Sequence, residues 1–110
     1  MSLVGAIEAG GTKFILALAR ADGQVIESTR IATREPQVTF ADMTAWFADA
    51  AARHGPIGAF GIASFGPIGI DPAARDYGIF LSTVKPHWEG ANLAAALAAF
   101  GAPVVIDTDV

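Results

Sequence analysis

The chain has no cysteine among its 110 residues. That excludes a disulfide framework and a thiolate zinc site within it, and it is compatible with a cytoplasmic protein. Positive charge is scarce. Seven Lys and Arg face eleven Asp and Glu, a formal net charge of −4, which argues against nucleic acid or an anionic membrane surface as partner. No apolar run is long and unbroken enough to span a bilayer. No basic segment followed by a long apolar stretch opens the chain, so no signal peptide is expected. The two histidines, His54 and His87, stand apart from any metal-ligand spacing. A Walker A loop and a G-x-G-x-x-G after a strand are both missing, as are internal repeats.

What remains is an ordinary globular composition, 53% hydrophobic and 16% charged, at a length that allows one domain. Folding would bury roughly two-thirds of the surface of such a chain, enough for a core.

The stretch Glu8-Ala9-Gly10-Gly11-Thr12-Lys13 organises the rest. The apolar run Leu3–Ile7 leads into it and Phe14–Ala19 leads out, a pattern that predicts two strands joined by a tight Gly-Gly turn. Read as turn chemistry alone, this is equally an ordinary hairpin or a phosphate loop. Two glycines let backbone N–H groups approach an anion without a Cβ in the way. Thr12 and Lys13 can donate to the same anion, and Glu8 can hold a hydrated Mg²⁺ beside it.

Asp22-Gly23 marks the next turn, and loose alternation predicts a third antiparallel strand over Val25–Thr33. Thr39 to Arg53 predicts a helix. Phe40, Met43, Phe47 and Ala50 fall on one face, Thr39 and Asp42 fit a capping box with the shorter acid, and Gly55-Pro56 stops it. The short apolar run Ile57–Ala63 predicts a buried strand parallel to the first, reached by a right-handed helical crossover. It ends in Ser64-Phe65-Gly66-Pro67, at the carboxyl end of a parallel strand, where α/β sheets bind ligands, though a Gly-Pro turn needs no ligand to explain it. Residues 71–86 have little periodicity, with a short strand possible within Tyr77–Thr83. Gly90 to Phe100 predicts a second helix with Asn92 as N-cap. Pro103–Ile106 predicts a last buried strand that delivers Asp107-Thr108-Asp109-Val110 to the same end of the sheet. By position alone Asp109 is either a catalytic acid or base or the N-cap of a following helix.

Four of these stretches, in order, resemble the ROK sugar kinases of the actin-like ATPase superfamily. Glu8-x-Gly10-Gly11-Thr12 is similar to the first phosphate motif, Asp-x-Gly-Gly-Thr, with the Glu of the fructokinase branch. Gly61 to Pro67 resembles the Gly-x-x-x-x-Gly-Pro loop that lines the sugar pocket. Ser82-Thr83-Val84-Lys85-Pro86-His87-Trp88 resembles Ser-Thr-Pro-Lys-Pro-x-Trp, with Val84 in place of a proline. Thr108-Asp109-Val110 resembles the Asn-Asp-x-Asn catalytic stretch, with Thr108 in place of the first Asn.

The resemblance implies an α/β fold: an actin-like, ribonuclease H-like ATPase lobe whose mixed five-stranded sheet starts with antiparallel hairpins and continues through helical crossovers. It implies transfer of a phosphoryl group from ATP, with Mg, to a hexose, fructose first. Asp109 would be the base; Gly10, Gly11, Thr12 and Lys13 the phosphate cradle; Glu8 the Mg²⁺ ligand through water; Ser64, Gly66 and Pro67 the walls of the sugar pocket. Lys85 is either a solvated loop cation or a substrate contact, and Trp88 more readily closes a small core than stacks on a sugar.

Such kinases have a second lobe that carries the adenosine site, more sugar ligands and, in many members, zinc. The resemblance therefore implies that residues 1–110 are the N-terminal lobe of a two-lobe, cytoplasmic, homodimeric kinase, inactive alone. Two alternatives stay open: a non-catalytic sugar-binding half-protein, and the sugar-sensing lobe of a ROK-type transcription repressor. The repressors carry a helix-turn-helix ahead of the lobe, whereas here the Gly-Gly hairpin begins close to Met1.

Overall fold

Strand alternation sets the architecture. In strand β1 (Leu3–Ala9) every second residue, Leu3, Gly5, Ile7 and Ala9, is buried, and in β2 (Lys13–Arg20) Phe14, Leu16 and Leu18 follow the same rule. Both therefore pack one face and leave the other open. The computed structural model describes residues 3–81, 85 and 87–108. β1 and β2 pair antiparallel, and β2 pairs antiparallel with β3 (Val25–Ala32). A 19-residue helix, α1 (Pro36–His54), then crosses over to β4 (Ile57–Ser64), which runs parallel to β1. A short helix α2 (Leu93–Ala96) and a 3₁₀ turn (Ala98–Phe100) lead to β5 (Val104–Thr108), parallel to β4. The five strands stand in the order β3-β2-β1-β4-β5, the mixed sheet expected from the sequence.

Both crossovers step across the sheet in the same direction. Right-handed connections therefore place both helical segments on the same face. There Met43, Phe47 and Ala50 of α1 are buried, Phe47 meets Phe60 of β4 edge-on at 5.1 Å, and Phe60 meets Phe100 at 5.3 Å. Gly5 is glycine for this contact, since a Cβ there would come within 2.5 Å of the Phe60 ring. The opposite face, with Ala6, Ile15, Ala17, Gly61, Ala63 and Val105, is uncovered among the described residues, and Val105 is 67% exposed. Among the described residues no helix is long and apolar enough to cross a membrane.

Three local expectations are corrected. Helix α1 begins at Pro36, a turn earlier than Thr39, because proline at the first helical position needs no N–H partner. The Thr39–Asp42 capping box does not form. The buried Thr39 hydroxyl accepts the Arg34 backbone N–H at 2.8 Å, and Asp42 pairs instead with the Arg34 guanidinium at 2.6 Å. The second helix is one turn long, not the full span to Phe100. Asn92 does cap it, its side chain accepting the Ala95 N–H at 2.9 Å, but beyond Ala96 the backbone tightens into the 3₁₀ turn and ends at Gly101 with φ 68°. Among the described residues of the weakly periodic stretch the backbone forms isolated bridges, Ile68 with Phe80, Gly69 with Tyr77 and Ile79 with Asn92. Residues 82 and 83 of the expected short strand lie outside the described residues.

Candidate active site

The strand register brings the sequence motifs together. Ala9 of β1 pairs with Ser64 of β4, and Ser64 pairs with Thr108 of β5. Three parallel strands therefore end on one row, and the Gly-Gly turn, the loop after Ser64 and the last strand leave the sheet at the same edge. The Phe65 N–H donates to the Ala9 carbonyl at 2.8 Å, fastening the loop to the strand that carries the turn.

The turn is closed by its own backbone, Gly10 N–H donating to Lys13 O at 2.9 Å. It is also gripped from β3's end by Thr33, a residue the sequence reading placed in a strand and gave no role. Thr33 Oγ1 donates to Gly10 O at 2.7 Å, and its N–H donates to Thr12 O at 2.9 Å. The two glycines differ in what the fold asks of them. A Cβ on Gly10 would lie 2.9 Å from Lys13 O, so the turn itself requires that glycine. A Cβ on Gly11 would meet nothing within 4 Å. The space over the exposed Gly11, Thr12 and Lys13 is therefore open to an anion that approaches the backbone.

Glu8 is exposed on the uncovered face, paired with Ile15 on one side and Ala63 on the other. Ala63 in turn pairs with Asp107. Two carboxylates thus stand in one row, with β4 between them. Asp107 was quoted in the terminal stretch without a role; only the β4–β5 register aligns it with Glu8. Hard oxygen donors of this kind suit a hydrated Mg²⁺.

At the loop after β4, Ser64 is fully buried and its hydroxyl donates to the Phe65 carbonyl at 2.8 Å. It shapes the loop from beneath. Gly66 and Pro67 are exposed, joined by a cis peptide bond, and Pro67 O accepts the Leu81 N–H at 2.9 Å. Lys85, half-buried, lines a shallow concavity with Arg34, Glu35 and His87. Trp88 is fully buried in an aromatic cluster, as a core-closing residue should be. Asp109 lies outside the described residues.

The ROK family matches residues 4–110. The chain belongs to the ROK family. Among curated relatives, this ROK chain is 38% identical over 110 residues to a fructokinase of Zymomonas mobilis and 40% identical over 109 residues to a fructokinase of Pediococcus pentosaceus. In each case 98% of the chain and 36% of the relative are covered. The ROK chain thus spans about a third of the length of the curated relatives it matches. Among solved structures, a ROK family glucokinase from Streptomyces griseus, in complex with glucose and AMPPNP, superposes with a TM-score of 0.75 at 23% identity. That match covers 98% of this chain and 33% of the other. The fold is accordingly the mixed five-stranded α/β fold shared with that ROK family structure.

Proposed function

We propose that this lobe is the sugar- and phosphate-handling half of an ATP-dependent hexose kinase that converts fructose to fructose 6-phosphate. The observation that carries the reading is the common edge. The Gly10–Lys13 turn, the Ser64–Pro67 loop and the end of β5 are held side by side by the Ala9–Ser64–Thr108 row and the Phe65 N–H to Ala9 O bond. The named activity of the curated relatives supports fructose as the acceptor.

When bound, MgATP supplies the phosphoryl group. The chain's own residues then have three tasks. The backbone at Gly10, Gly11 and Thr12, with the Thr12 hydroxyl and the Lys13 ammonium, receives the phosphates; Gly11 leaves the approach open. Glu8 orients the hydrated Mg²⁺ from the adjacent strand end. The loop at Ser64, Gly66 and Pro67, with Lys85, walls the sugar site, and Asp109 is the proposed acceptor of the attacking hydroxyl's proton. Positioning and charge neutralisation dominate such a transfer. A second lobe, outside these residues, would supply the adenosine site and close over the cleft to exclude water. The kinase is proposed to be a cytoplasmic homodimer.

Fructose-dependent ADP release by the two-lobe protein tests the reading, with Asp109→Asn as its sharpest arm. Asn keeps the size and the hydrogen-bonding ends but cannot take a proton, so kcat should fall by about 10²–10⁴-fold with KM for fructose little changed. Near-native kcat in that variant would reduce Asp109 to a helix cap, a role Asn fills equally well.

A further inference from the structure

We infer that Trp88 is a positioning residue that holds the sugar loop and the phosphate turn at a fixed separation. The inference rests on the reading of Ser64–Pro67 as the sugar side and Gly10–Lys13 as the phosphate side. Trp88 is fully buried and touches both sides at once. Towards the loop, its ring centroid lies 5.6 Å from Phe65 and 5.0 Å from Phe80, both edge-on, and those two phenyl rings stack on each other at 4.7 Å. Towards the turn, it lies 5.8 Å from Phe14, the residue that follows Lys13. Its indole N–H donates to the Arg34 carbonyl at 2.9 Å. Arg34 directly follows Thr33, whose side chain and N–H grip Gly10 and Thr12. Phe40 of α1 closes the cluster at 5.3 Å.

One side chain thus joins segments far apart in sequence. Its polar atom is spent on the strand end that fixes the turn, and its ring carries the loop. Offset and edge-on ring contacts are directional. A buried indole N–H also needs its acceptor, so the cluster admits few alternative arrangements. His87, next to Trp88, keeps a φ of 70°, unusual for a residue with a side chain; a left-handed backbone of this kind persists where surrounding packing over-determines it. A misplacement of about 1 Å at a remote positioning residue is enough to cost on the order of 10²-fold in rate.

The test compares Trp88→Leu with Trp88→Phe in two measurements. The first is amide exchange at Phe65, Gly10 and Thr33, whose N–H groups bond across the loop and turn, against Gly55 and Phe60, whose N–H groups bond to Ala51 and Pro103 away from the cluster. Trp88→Leu should accelerate the first group about tenfold or more beyond the second, and Trp88→Phe, which keeps the ring, should recover most of that difference. Acceleration equal at all five amides, or none at the first three, overturns the inference, because a residue that only fills the core lowers protection everywhere. If the Leu variant does not fold, Trp88→Phe alone decides: it lacks the bond to Arg34 O, and exchange at Thr33 and Gly10 must still rise above the Gly55 and Phe60 controls. The second measurement is kinetic, in the two-lobe protein. A positioning role lowers kcat about tenfold or more while KM for fructose and for MgATP stay near native, since each subsite is intact and only their spacing is lost. Native kcat per folded molecule overturns it. If the kinase reading itself fails, unmodified protein shows no fructose-dependent turnover while the exchange pattern around Trp88 persists, so the two failures are separable.

Discussion

The Thr33 hydroxyl donates to the Gly10 carbonyl at 2.7 Å across a separation of 23 residues. This bond, with Thr33 N–H to Thr12 O, ties the Gly10–Lys13 turn to the end of the third strand as well as to the first hairpin. A turn anchored on both sides needs little rearrangement when an anion arrives, and preorganisation of that kind lowers the cost of binding.

Replacing Thr33 with Val keeps the shape and removes the donor. Thr33 is 8% exposed and Gly10 half-buried, so loss of the bond should cost about 0.5–1.5 kcal/mol. The melting temperature should fall by several degrees, and exchange at the Gly10 amide should rise. An unchanged melting temperature would mean that the backbone bond to Thr12 O holds the turn unaided.

Gly11→Ala separates ligand requirements from folding requirements. With open space where its Cβ would go, the substitution should leave stability within about 0.5 kcal/mol of native. Phosphate approach should suffer, so KM for MgATP in the two-lobe protein should rise about tenfold or more, a loss worth ~1.4 kcal/mol. Gly5→Ala is the contrasting control. Its Cβ would collide with the Phe60 ring, and overpacking should destabilise the lobe by about 1–3 kcal/mol. Equal thermal shifts in both variants would contradict the distinction.

Acid sensitivity should originate at the far end of α1. The Arg53 guanidinium, which also engages Asp49, and the His54 ring hydrogen-bond to Glu27 of β3. These contacts, Arg53 first, hold the Glu27 carboxyl at about 2, below its ordinary 4.5. A folded-state value depressed in this way adds stability that is fully present above 4.5 and is lost as pH falls towards 2. Solvent around the pair keeps the effect modest. Glu27→Gln should therefore melt below the native protein at ~pH 6 and converge with it near pH 2. A constant gap between the two melting curves across that range would assign the difference to packing instead of charge.

The uncovered sheet face should make the isolated chain associate. Its three parallel strands are of a kind normally covered on both faces, and here one side exposes Ala6, Ala63 and Val105 next to half-buried Ile15 and Ala17. Sedimentation should detect dimers or larger species whose weight falls when Ala6→Lys places a charge in the middle of the patch. A clean monomer at high concentration, before any substitution, would refute this.

Local sequence determined a great deal. Apolar runs placed β1, β2 and β4, loose alternation placed β3, the Gly-Gly and Asp-Gly pairs placed the turns, and the spacing of Met43, Phe47 and Ala50 found the buried stripe of α1. These features depend on neighbours within a turn or a hairpin, so pattern and propensity suffice to read them. Tertiary structure decided the rest. Thr39 looked like a helix cap because a Thr three residues before an acid usually is one; in the fold its hydroxyl accepts the Arg34 N–H and the helix starts at Pro36. Ser64 ends β4 fully buried, and packing decides that its hydroxyl donates to Phe65 O. The grip of Thr33 on Gly10, the row that puts Asp107 in line with Glu8, and the indole bond from Trp88 to Arg34 all join residues more than twenty positions apart. Strand register and the packing of one helical layer set those partners, and no short-range spacing encodes either.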